Sequence, residues 1–118
     1  MEIYLTTTLT IDQLAALLRD VLNLPRRNRT EFRRDQRRTL FHPDRVSYDF
    51  EVLGLTLLLV PNIAEARLAR HPGCAFYVAV SGGPCLDRPV LHGLAQHLAS
   101  MFVAAGIDAT VDAMTEPR

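Results

Sequence analysis

The chain predicts an α+β domain built on an antiparallel sheet, and three observations carry that expectation. The first is the run Tyr48 to Val60, YDFEVLGLTLLLV, the most apolar stretch of the sequence. Its first half alternates, with Tyr48, Phe50 and Val52 set against Asp49 and Glu51, and its second half is almost continuously aliphatic. That is the pattern of a strand half-buried at one end and covered on both faces at the other. The second is a pair of segments with helical spacing, near residues 10–24 and 89–105. The third is the order in which strand-like and helix-like stretches alternate, β-α-β-β-α-β. Two helices on one face of a four-stranded antiparallel sheet, the ferredoxin-like split βαβ sandwich, is the simplest packing of that order. Right-handed crossovers would make the first and third strands central. At 118 residues the chain is read as a single domain spanning 1–118.

Taken in order, residues 2 to 9 alternate loosely around Ile3, Leu5 and Leu9, with three threonines, and predict a strand. Thr10 and Gln13 have capping-box spacing, and Asp12 lies in the first turn, where the helix dipole favours a carboxylate. Leu14, Leu17, Leu18, Val21 and Leu22 then form an apolar stripe, and Pro25 ends the helix. Residues 26–47 read as an Arg-rich insertion, in which Thr30 to Leu40 predicts a short helix with Phe32, Gln36 and Leu40 on one side. Pro43 and Asp44 turn the chain into the apolar run. Within that run Gly54 marks a change of parity, either a β-bulge in one long strand or a tight turn between two short ones. Such an apolar strand needs cover besides the helices, which the insertion or a second copy of the chain would supply. Pro61-Asn62 closes it, and Ile63 to Arg70 is open between helix and extended chain. Ala75 to Ser81 predicts a strand with Phe76, Val78 and Val80 on one face. The second helix, capped by Asp87, buries Leu91, Leu94, Leu98, Met101, Phe102 and Ala105 and ends at Gly106. Ile107, Ala109 and Val111 alternate in a last strand, and residues 113–118 form a loose tail.

Formal net charge is zero, and all thirteen basic residues are Arg. Eight of the thirteen lie within 26–47, against Glu31, Asp35 and Asp44, a local excess of five positive charges. The two cysteines, Cys74 and Cys85, flank a predicted strand and read as free thiols of a reducing compartment. The N-terminal residues lack a basic region followed by an apolar one, and no apolar run reaches the ~20 residues a membrane helix needs. A cytoplasmic location with no membrane partner is the expectation.

No catalytic constellation emerges. Phe41-His42-Pro43-Asp44 contains the His-Pro-Asp signature of J-domain cochaperones after a basic segment, but a strand follows where that family has a helix. Pro-Asp is also good turn chemistry in its own right. His92 and His97 are five apart, ~140° around a helix at 3.6 residues per turn, whereas helical metal ligands need i, i+4. No Cys-x-x-Cys or His/Cys cluster occurs, so no metal or cofactor is assigned. His42 with Asp44 is the one pair placed for acid–base work. Ser81-Gly82-Gly83 before a helix lacks the G-x-G-x-x-G and P-loop patterns of a phosphate cradle. The Arg cluster would suit phosphate, but it is not interleaved with aromatics, which argues against nucleic acid. An electropositive face for an acidic protein, or simply a solvated surface, fits it better.

The short N-terminal strand, the segment Asn28-Arg29-Thr30-Glu31-Phe32-Arg33-Arg34-Asp35, the strand Phe50-Glu51-Val52-Leu53-Gly54-Leu55 and the aromatic strand Ala75-Phe76-Tyr77-Val78 together resemble small immunity proteins of bacterial polymorphic-toxin systems. The resemblance implies a non-catalytic inhibitor that binds a cognate toxin one-to-one. On this reading the contacts are Arg33, Arg34, Arg37, Arg38, His42 and Asp44 of the insertion and Asp49 and Glu51 of the acidic strand edge. Two other functions remain open: a regulatory ferredoxin-like domain that dimerises through its sheet and binds a small molecule near Gly82 and Gly83, and a phosphate or nucleic-acid binder using Arg33, Arg34, Arg37 and Arg38.

Overall fold

The computed structural model describes residues 1–24, 29–35, 46–52, 54–62, 73–82 and 87–112. Six strands and two helices follow one another as β1 (Glu2–Thr6), α1 (Ile11–Val21), β2 (Arg29–Asp35), β3 (Val46–Val52), β4 (Leu55–Pro61), β5 (Phe76–Gly82), α2 (Arg88–Ala104) and β6 (Asp108–Asp112). All strands join one antiparallel sheet in the order β2-β3-β4-β5-β1-β6. The fold is therefore α+β, but with six strands rather than the four expected. β1 and β5 are neighbours, flanked by β6 and β4, while β2 and β3 lengthen the sheet beyond β4.

The apolar run is two strands, as the tight-turn alternative had it, rather than one bulged strand. Gly54 sits between β3 and β4 with φ of 85°, a conformation that costs an L side chain free energy but not glycine. Val52 pairs with Leu55 directly across this turn. The expected helix over 30–40 is also corrected, because residues 29–35 form the strand β2, paired along its whole length with β3. Thr30, Phe32 and Arg34 take one face of β2 and Glu31 and Arg33 the other. The neighbouring strand's edge offers this segment seven paired positions, which outweigh a weak local helical preference. The basic segment's described part thus extends the sheet instead of covering it.

Directly opposed residues share a face of an antiparallel sheet, so the register sorts the side chains. Ile3, Leu5, Tyr48, Phe50, Leu57, Leu59, Val78 and Val80 fall on one face and join Leu14, Ala15 and Leu18 of α1 and Ala95, Leu98, Ala99 and Phe102 of α2 in a single buried core. Both helices therefore cover the same face. α1 starts as its sequence dictates: the Thr10 hydroxyl accepts from the Gln13 N–H at 3.2 Å, and the Gln13 side chain accepts from the Thr10 N–H at 2.9 Å. It ends at Val21, before Pro25 is reached, with Asn23 at positive φ. Of the stripe expected for α2, Leu98 and Phe102 are buried and Leu91 packs against the core, whereas Leu94 and Ala105 are exposed and the small Ala95 and Ala99 take inner positions. Asp87 stands at the N-cap without a side-chain cap bond. Gly106 has φ of 90°, the left-handed stop that the sequence predicts.

Candidate functional site

The opposite face of the sheet carries no helix among the described residues. It presents Thr30, Phe32 and Arg34 from β2, Ser47, Asp49 and Glu51 from β3, Thr56, Leu58 and Val60 from β4, and Tyr77 and Ala79 from β5. None of these joins the buried core. Phe32 is 50% exposed, the largest exposed ring among the described residues. It lies directly across from Asp49, which in turn lies across from Leu58. The result is a surface in which an exposed ring and aliphatic side chains are bordered by charge.

Asp49 is the unusual member. Arg34 Nη2 donates to its Oδ2 at 3.4 Å, an ion pair in which the Arg side chain is 57% and the Asp side chain 17% exposed. Its other oxygen, Oδ1, is buried and has no hydrogen-bond partner among the described residues. A buried carboxylate oxygen normally has a donor, and leaving it without one is costly. Glu51, two residues on, is exposed on the same face.

Four of the eight predicted contact residues are described, and the structure divides them. Arg34, Asp49 and Glu51 share the helix-free face. Arg33 lies on the other face, where its Nε donates to Asp12 Oδ1 at 3.0 Å and its Nη2 to Oδ2 at 3.4 Å. Adjacent residues of a strand point to opposite faces, so Arg33 and Arg34 cannot act on one surface. Arg37, Arg38, His42 and Asp44 lie outside the described residues, as do Gly83 and Cys85. The His-Pro-Asp motif and the His42–Asp44 pair are therefore without a described geometry.

Sequence reasoning missed the polar system where β2 meets α1. The Tyr48 hydroxyl donates to Asp12 Oδ1 at 2.5 Å, so Asp12 joins α1, β2 and β3. Arg19 donates to Glu31 through Nε at 2.8 Å and Nη2 at 2.5 Å, and its guanidinium lies 5.8 Å from the Tyr48 ring centroid. Burial, and then the Asp12 carboxylate, push the Tyr48 phenol up from its ordinary value, and the Glu31 carboxylate raises Arg19. These are closing contacts of the fold. No local signal in RTEFRRD announces them, because Arg stands on both faces of the strand and the partners are distant in sequence. A second buried phenol, Tyr4, donates to Glu2 Oε1 at 2.6 Å and packs 5.4 Å from the Tyr77 ring; burial first and Glu2 next raise it well above the ordinary tyrosine range.

Among the described residues no group of three or more His, Cys, Asp or Glu side chains could hold a metal ion. His92 lies 3.2 Å from the Gln96 amide, one turn along its own helix, and His97 is exposed. No described helix is long and apolar enough to cross a membrane. Comparison of the chain with protein-family models, with curated proteins and with solved structures gives no match.

Proposed function

We propose that this chain is a non-catalytic protein-binding module that masks a partner one-to-one through the helix-free face of its sheet. One observation carries the reading: the exposed Phe32 ring beside the Arg34–Asp49 ion pair on the helix-free face. A partner that lays an apolar surface on Phe32 would cover the exposed ring, and the ion pair beside it would enter the interface with its charges already matched. Arg34 and Glu51 at the margin would steer approach and fix orientation, as charges at an interface's border do. The resemblance to immunity proteins names the partner class, a bacterial toxin neutralised in the cytoplasm of the cell that makes it.

The test is neutralisation. The product of the adjacent reading frame is expressed with and without this chain, and growth and co-purification are followed. The reading expects rescue and a one-to-one complex. It expects Asp49→Ala and Glu51→Arg each to weaken the complex at least tenfold while the free protein stays folded. A complex indifferent to both substitutions would refute the assignment of the face, and failure of the wild-type chain to rescue growth would refute the assigned partner.

The finer fold description stands as a proposal of the same kind. The strands β4, β5, β1 and β6 with the two helices make a ferredoxin-like unit, to which β2 and β3 are added at one edge. Their neighbour order supports it. Superposition of an experimental structure on ferredoxin-like domains is the test.

A further inference from the structure

We propose that the outer edge of β2 is a self-recognition site, at which two copies of the chain pair antiparallel about a twofold axis through Phe32 and so continue the sheet from one molecule into the other. This inference does not rest on the toxin reading. β2 ends the strand order, so its outer edge has no neighbour among the described residues, and Thr30, Phe32, Arg33 and Arg34 are all exposed. A bare edge is a template for another strand.

The register is dictated by the sequence of the strand. A twofold axis perpendicular to the sheet keeps both helical layers on one side and places Phe32 opposite Phe32 of the second copy. Glu31 then stands opposite the second copy's Arg33 on the helix-covered face, and Thr30 opposite its Arg34 on the open face. Arg29 and Asp35 occupy the matching end positions. Every charged position meets an opposite charge or a neutral residue. Sliding by two residues one way sets Glu31 against Glu31, and sliding the other way sets Arg33 against Arg33. Like charges directly opposed are destabilising, so one register is selected and its neighbours are rejected. Glu31 and Arg33 would share their groups between the in-chain pairs with Arg19 and Asp12 and the pair across the dimer, as a carboxylate with about four acceptor sites and a guanidinium with five donors can do. The opposite edge offers no such selection: β6 pairing with itself about Thr110 sets Asp108 against Asp112, and with no basic residue in the strand no register gives it an opposite-charge pair. The occupant is therefore a second copy, joined β2 to β2. Two helix-free faces then become one continuous surface with a pair of Phe32 rings at its centre.

Thr30 provides the discriminating test, because its two neighbours make opposite demands. Within the chain it lies across from Glu51, and in the dimer it lies across from Arg34. Thr30→Arg should raise the melting temperature and weaken dimerisation. Thr30→Glu should lower the melting temperature and strengthen dimerisation, about tenfold in each direction over the two symmetry-related pairs. The full chain is examined by sedimentation over a range of concentrations, with melting followed in parallel. Register is read separately, with Phe32→Cys in a Cys74→Ser, Cys85→Ser background under mild oxidation. Opposed residues of an antiparallel pair have Cα atoms about 4.5–5.5 Å apart, within the roughly 4.4–6.8 Å that a disulfide spans. A covalent dimer should form at this position and not with Ser81→Cys, which lies on the same face but away from the edge. A wild-type chain that stays monomeric to its solubility limit overturns the proposal. So does growth beyond the dimer, which would mean β2 joining β6 head to tail, and so does dimerisation that shifts in parallel with stability in the two Thr30 variants.

Discussion

Asp12→Ala is the perturbation that most directly tests how β2 is fastened to the rest of the molecule. Three contributions are lost. The Tyr48 hydroxyl, on a residue only 5% exposed, loses a charged acceptor, and such bonds contribute about 1.5–3 kcal/mol. The Arg33 pair has both side chains more than a third exposed, and solvent screening holds it to about 0.5 kcal/mol or less. The first-turn carboxylate adds about 0.3–1 kcal/mol through the helix dipole. The expected cost is about 3 kcal/mol, or a fall of about 12 °C in Tm at roughly 4 °C per kcal/mol for a domain of this size. Tyr48→Phe should cost less, about 1–2 kcal/mol, because Asp12 is left exposed to water and not stranded. The double variant isolates the bond itself: urea unfolding of the four proteins should give a coupling of about 1–2 kcal/mol. In Asp12→Ala the Tyr48 phenol, followed by its ultraviolet absorbance, should titrate lower than in wild type but still above an ordinary tyrosine, because burial is the larger cause of its shift. A coupling below about 0.3 kcal/mol would show that the contact does not hold the strand, and the reasoning that joins α1 to the sheet edge would fail.

Alkaline pH should unfold the protein early. Tyr4 and Tyr48 both have raised folded values, so the stability they contribute is fully present below the unfolded value of about 10 and is lost as pH rises toward the folded ones. Unfolding free energy should fall by about 1.4 kcal/mol per pH unit for each above pH 10, and urea midpoints at successive pH values check the slope. Gly54→Ala should destabilise by about 1–2 kcal/mol through backbone strain alone, since an added Cβ at that position meets nothing within 4 Å; Gly54→Asn should cost less, as calorimetry would show. On α2, Phe102→Ala should cost about 3–5 kcal/mol, whereas Val103→Glu, at a residue 55% exposed, should change stability by no more than about 0.5 kcal/mol.

Legibility in the sequence followed the physics of each element. α1 was readable because Thr10, Gln13 and Asp12 are local signals and Leu14 and Leu18 repeat at helical spacing, so short-range chemistry and burial agree. β5 was readable because Phe76, Val78 and Val80 alternate cleanly. The hairpin was half readable: Gly54 announced a break, but a bulge and a turn both ask for glycine, and only pairing across it decides. β2 was not readable as a helix-or-strand choice because its inward positions, Glu31 and Arg33, are charged. A strand whose core-facing side chains are polar breaks the hydrophobic alternation by which strands are recognised, and its partners, Arg19 and Asp12, lie 12 and 21 residues away. For the candidate site, Asp49 and Glu51 were legible as a shared face. That Arg34 belongs with them, and Arg33 does not, follows only once residue parity in a strand replaces the helical reading.

The placement of β1 has a consequence for the order of events as the chain is made. Glu2–Thr6 precedes every other strand of the sheet, yet both of its neighbours come late: β5 begins at Phe76 and β6 at Asp108. The strands from β2 to β5 form a run of consecutive antiparallel neighbours and can assemble in sequence as they leave the ribosome. β1 must meanwhile wait unpaired, then slot between two segments that are themselves joined through α2. Closing such distant contacts is slow relative to hairpin formation. Synthesis rate and chaperone protection of the segment carrying β1 and α1 should therefore govern the yield of folded protein more than any single side chain in the hairpin region.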